Sequence, residues 1–123
     1  PEEQAVCEQD PRNSMFVRYD GTVAPCINLA IGGPTTFLGE DVEMPSAHYG
    51  RLPQDDLLDL WNSDKCKFYR QRFEHRVQKH DQVLTNQLIG SSGSNRQKAL
   101  QEAQSAMPEP PKGCNVCHYL YDI

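Results

Sequence analysis

The chain has no apolar run approaching the eighteen or so residues of a membrane span, and nothing near its start has the pattern of an uncleaved signal peptide. It also lacks an opening methionine: Pro1 comes first, so the sequence reads as a piece of something longer. Basic residues are not in excess. Twelve Lys and Arg against 17 Asp and Glu leave a net charge of −5, which argues against a general nucleic-acid-binding domain. Cysteine is sparse and odd in number, so the five thiols cannot all pair within the chain, and cytosolic metal ligation is favoured over an oxidised scaffold. No segment repeats. A cytoplasmic protein with neither a membrane nor a nucleic-acid partner is expected.

What is present is polar and short. With 37% apolar residues, nine prolines, eight glycines and a mean hydropathy of −0.69, a chain of 123 residues is one small domain with a modest core. A staple such as a metal would help it fold. The expected class is α+β: a metal-stapled domain with one β-hairpin, then helices, then a C-terminal Cys-x2-Cys.

The stretch "RYDGTVAPC" carries the hairpin signal. "SMFVRY" over Ser14 to Tyr19 is rich in aromatic and β-branched residues, Asp20-Gly21 suits a type I′ turn, and "TVAPCI" returns as a strand. Pro25 has no N–H for the ladder, which predicts an edge strand or a frayed end there. Residues 28 to 53, punctuated by Gly32, Gly33, Pro34, Gly39, Pro45, Gly50 and Pro53, read as a long loop.

Asp55 and Asp56 open a helix with Leu57, Leu58 and Trp61 on one face, Trp61 being expected in the core. Ser63 then caps a second helix from about Asp64 to Leu88, with Tyr69, Phe73 and Val77 recurring every four residues. Its basic residues, Lys65, Lys67, Arg70, Arg72, Arg76 and Lys79, read as a solvated face. "GSSGSN" at 90 to 95 is a flexible break, "RQKALQEAQSA" a further helix and "PEPPKG" an extended stop, so 81–107 reads as an inserted helical arm.

Cys114 and Cys117 have the spacing that lets one turn present two thiolates to one centre. Cys26 on the hairpin and Cys7 before it bring the possible ligands to four. Four thiolates suit zinc or an iron-sulfur cluster, and spacing alone does not choose. "CNVCH" also fits the c-type haem attachment pattern with His118 as axial ligand, but haem leaves Cys7, Cys26 and the Trp61 segment unexplained. Cys66, between two lysines, falls outside these motifs and is expected to be unliganded. His48, His75 and His80 are scattered and read as surface residues.

Taken in order, these pieces resemble a known family. Cys7, thirteen residues, Gly21, four residues and Cys26, then "YGRLPQDDLLDLWNSDKCKFYRQRF", then the closing Cys114-x-x-Cys117, are similar to the SPASM domain, the C-terminal auxiliary-cluster domain of many radical S-adenosylmethionine enzymes. The resemblance implies that Cys7, Cys26, Cys114 and Cys117 ligate one 4Fe-4S cluster, with Gly21 permitting the tight hairpin that delivers Cys26. His118, next to Cys117, is read as a candidate hydrogen-bond donor to cluster sulfur, and residues 77–112 are read as a helical insert unusual for the family. Arg51 stands where the family often has Asn. The fuller family form continues to two more cysteines, and position 123 is Ile, so a second cluster has no visible ligands.

The radical-generating Cys-x3-Cys-x2-Cys motif is absent, and the chain alone is not expected to cleave S-adenosylmethionine. The partner implied is a radical S-adenosylmethionine catalytic domain in the same parent chain, acting on a peptide or small metabolite, with the cluster serving electron transfer or substrate positioning. The alternative is a four-cysteine structural zinc domain acting as a protein-interaction module.

Overall fold

The structure is a computed structural model and describes residues 2–90 and 96–121. It is α+β. β1 (Phe16–Val17) and β2 (Thr22–Ala24) form the expected hairpin, with Phe16 opposite Ala24 and Val17 opposite Val23. The turn differs from a type I′ turn. The Arg18 N–H donates to Thr22 O and the Arg18 carbonyl accepts from the Gly21 N–H, which leaves a three-residue loop in which Gly21 alone has positive φ, at 93°. A type I turn followed by a left-handed glycine bulge gives this pattern, and Asp20 caps it by accepting from the Thr22 N–H at 3.0 Å.

β2 is a central strand, since β5 (Gly50–Arg51) pairs with its other side. It ends at Ala24, before Pro25 has to donate. The chain then turns directly into α1 (Ile27–Ile31), so Cys26 is the N-cap of a short helix rather than part of a strand.

The expected long loop holds a second hairpin, β3 (Gly33–Phe37) with β4 (Glu40–Met44). Leu38 and Gly39, both at positive φ, form the two-residue turn. The glycines and prolines that read as breakers lie at the ends of these strands, while Thr35, Thr36, Phe37 and Val42 have the β-branched and aromatic character of a strand pair.

Asp56 caps α2 (Leu57–Trp61), accepting from the N–H groups of Leu58 at 2.9 Å and Asp59 at 3.2 Å. Its buried residue is Leu60, not the expected Leu57 and Leu58, because one turn of helix lying against Gly50 presents only that side inward. Trp61 is half-buried, with the Arg70 guanidinium 4.3 Å from its ring centroid.

Ser63 starts α3 (Asp64–Gly90), its hydroxyl accepting from the Cys66 N–H. Tyr69 and Phe73 enter the core with Val23, Leu29, Met44, Leu60, Cys66 and Leu120. Fully burying one such apolar side chain contributes about 1.5–3 kcal/mol. The break expected at 90–95 lies, from residue 91 on, outside the described residues. α4 (Arg96–Ala106) packs along α3 through buried Ala99 and Ala103.

The basic face of α3 is not uniformly solvated. Arg72 donates to Glu109 O at 2.8 Å, and Arg76 is buried at 1% exposure. Arg76 donates to Ala5 O at 3.0 Å, Gln4 O at 2.9 Å and Pro108 O, and pairs with Glu3 at 2.7 Å. One guanidinium thereby ties the N-terminal segment and the segment after α4 to the middle of α3.

Candidate metal centre

Each of the four candidate cysteines comes from a loop or cap fixed by its neighbours. Cys7 precedes a tight turn in which the Asp10 N–H donates back to Cys7 O at 3.1 Å. Asp10 adopts positive φ there, and its carboxylate takes a two-pronged bond from Arg12, at 2.9 and 3.1 Å, plus one from Asn13 at 2.9 Å. Arg12 and Asn13 together hold the Asp10 carboxyl below its ordinary range. Cys26 sits where the first hairpin meets α1. Its sulfur faces the N–H groups of Leu29 and Asn28 without closing a capping hydrogen bond.

Cys114 and Cys117 bracket a 3-10 turn, Cys114–Val116, that closes with Cys117 N–H on Cys114 O at 3.1 Å. Gly113 opens this turn at φ 96°, and a Cβ there would stand 2.8 Å from Pro45 Cγ. The close approach seats the C-terminal cysteine pair against the end of β4.

These four thiols converge. Cys7, Cys26, Cys114 and Cys117 line one apolar pocket walled by Leu29, Phe73 and Leu120. Burial pushes the Cys7 and Cys26 thiols up from their ordinary range, with the facing backbone N–H groups pulling back. Cys114 is pushed up furthest, first by burial and then by the other three thiols. Such a set resists ionising together unless something positive occupies the space between them. Nearby Tyr69 is raised to about 12, mainly by burial and then by Cys114 and Cys26. Among the described residues, no group of three or more His, Cys, Asp or Glu side chains is arranged to hold a single metal ion.

Cys66 is fully buried but stands apart, in the core facing the Tyr49 hydroxyl, which has no well-oriented hydrogen-bond partner. All five cysteines are free thiols. His48 bonds Ala30 O at 3.0 Å and His80 pairs with Asp81, both away from the pocket. His118 stacks on Phe37 at 5.4 Å. Among the described residues, a side chain that does donate to a pocket cysteine is Asn28, whose Nδ2 lies 3.2 Å from Cys117 Sγ. Nothing in the sequence marked Asn28, because its partner lies 89 residues away.

Residues 7–84, more than half of the chain, match the SPASM family of iron-sulfur cluster-binding domains. The chain belongs to that family. The matched part of this SPASM domain carries Cys7, Cys26 and Cys66, while Cys114 and Cys117 lie beyond it and join the first two through the shared pocket. A curated relative from Pyrococcus furiosus, the tungsten-containing aldehyde ferredoxin oxidoreductase cofactor-modifying protein, is 24% identical over 67 residues, which cover 54% of this chain. The aligned part covers only 19% of that relative's length. No solved structure matches significantly. No described helix is long and apolar enough to cross a membrane.

Proposed function

We propose that this SPASM domain binds one 4Fe-4S auxiliary cluster through Cys7, Cys26, Cys114 and Cys117. The observation that carries the proposal is that these four thiols, drawn from both ends of the chain, line one apolar pocket. A single zinc ion needs four sulfurs within about 2.3 Å of one point, whereas each thiolate of a cluster meets its own iron. Membership of a family of iron-sulfur cluster-binding domains favours the cluster over zinc. Four free, unpaired thiols also suit the reducing cytoplasm in which such a centre persists.

When bound, the cluster supplies one-electron redox chemistry. This chain's residues set its surroundings: Leu29, Phe73 and Leu120 keep water away, and backbone N–H groups face the Cys7 and Cys26 sulfurs. Four cysteine ligands leave no iron open to substrate, so the role we infer is outer-sphere electron exchange with a radical S-adenosylmethionine catalytic domain of the same parent chain, rather than substrate ligation. We read that domain's substrate as a peptide or small metabolite, and residues 77–112 as a helical insert.

Anaerobic reconstitution with iron and sulfide, followed by iron, sulfide and zinc analysis and EPR of the reduced chain, tests this directly. About four irons and four sulfides with a reducible signal are expected. One zinc, no sulfide and no EPR signal would replace the proposal with the structural-zinc domain.

A further inference from the structure

We propose that Asn28 is a positioning residue that raises the reduction potential of the cluster by donating a hydrogen bond to Cys117 Sγ. The inference rests on Cys117 being a cluster ligand. The contact is 3.2 Å from Nδ2 to sulfur and spans the chain from α1 to the C-terminal cysteine pair.

α1 holds the donor in place. The Ala30 N–H bonds Cys26 O at 3.0 Å, the Gly32 N–H bonds Asn28 O at 2.8 Å, and Leu29 O accepts from the Ala47 N–H at 2.9 Å. Asn28 is thus two residues from one candidate ligand and hydrogen-bonded to another. Around Cys7 and Cys26 the facing donors are backbone N–H groups, which substitutions other than proline leave in place. Among the described residues, Asn28 is a side chain within hydrogen-bond distance of a candidate ligand's sulfur, so it is a point at which the sulfur environment can be adjusted. It also walls the cavity of about 390 Å³ beside Thr35, Thr36 and His118, so the donor stands on the side where Cys117 approaches open space.

Reduction adds an electron and makes the thiolate sulfurs more negative. A donor aimed at sulfur gains more from the reduced state than from the oxidised one, so it raises the potential. The partly buried setting strengthens that preference.

The test is an EPR-monitored redox titration of the reconstituted full chain, with iron and sulfide measured, for wild type, Asn28→Ala and Asn28→Asp. Both variants should hold wild-type iron and sulfide and titrate at lower midpoint potential, with Asn28→Asp the lower because a carboxylate then faces the sulfur. Wild-type midpoints in loaded variants would overturn the inference. If Asn28→Ala loses its cluster, the isosteric Asn28→Asp decides, and loss in both variants would assign Asn28 to cluster retention instead. A wild-type chain that takes up no cluster would defeat the proposed function itself, a result separate from any of these.

Discussion

Arg76 shows how a single residue carries the architecture around the pocket. A buried guanidinium is costly unless its donors are used, and here they meet three backbone carbonyls and Glu3. Arg76→Met should therefore lower unfolding stability by about 3 kcal/mol, measured by urea denaturation, because acceptors on both flanking segments lose their partner. Its role was not legible in the sequence: six basic residues share the helix, and only tertiary docking decides which one is enclosed. Cys66 was expected to be unliganded, and its place in the core was not foreseen. Cys66→Ala should lower stability by about 1 kcal/mol while leaving iron and sulfide uptake unchanged. Asp10 gives a pH dependence. Its folded pKa is depressed chiefly by Arg12, so its contribution is present above the unfolded value of about 4 and is lost as pH falls through the folded value. Solvent screening keeps this at about 0.5 kcal/mol. Denaturation midpoints of wild type and Asp10→Asn should differ at neutral pH and converge as pH drops below 4.

Among the elements, the first hairpin was legible because Asp20-Gly21 between β-rich runs is a strong local signal, even though the loop proved one residue longer than a type I′ turn. The second hairpin was not. Leu38 is an unusual residue for a positive-φ turn position, and the surrounding glycines and prolines outweighed the strand character of Thr35 to Phe37. α4 was read to the residue because alanines and long polar side chains form helix by propensity alone. Gly21 joins hairpin and loop. At φ 93°, with a Cβ there standing 2.2 Å from Leu52 O, it has no room for a side chain. Gly21→Ala should cost about 2 kcal/mol or more in thermal unfolding and lower cluster retention, since the same hairpin leads to Cys26. Full stability and full iron content in that variant would contradict the hairpin's role as a mount.

Across the whole molecule, spacing and order singled out four cysteines that the structure brings to one pocket. Their shared environment was not legible, because the pocket walls come from α1, α3 and the C-terminal turn. The arrangement makes the cluster a staple between distant segments, so its removal should loosen them together. Hydrogen exchange after chelation should show protection lost around residues 4–10, 23–30 and 113–121, with the Tyr69 to Phe73 part of α3 retained longest. The central claim is that one cluster is held by four thiolates. The Mössbauer spectrum of chain reconstituted with iron-57 tests it most directly: the account predicts one 4Fe-4S centre whose irons are all sulfur-ligated. A spectrum with an iron carrying a nitrogen or oxygen ligand, a two-iron centre, or no cluster iron would contradict it.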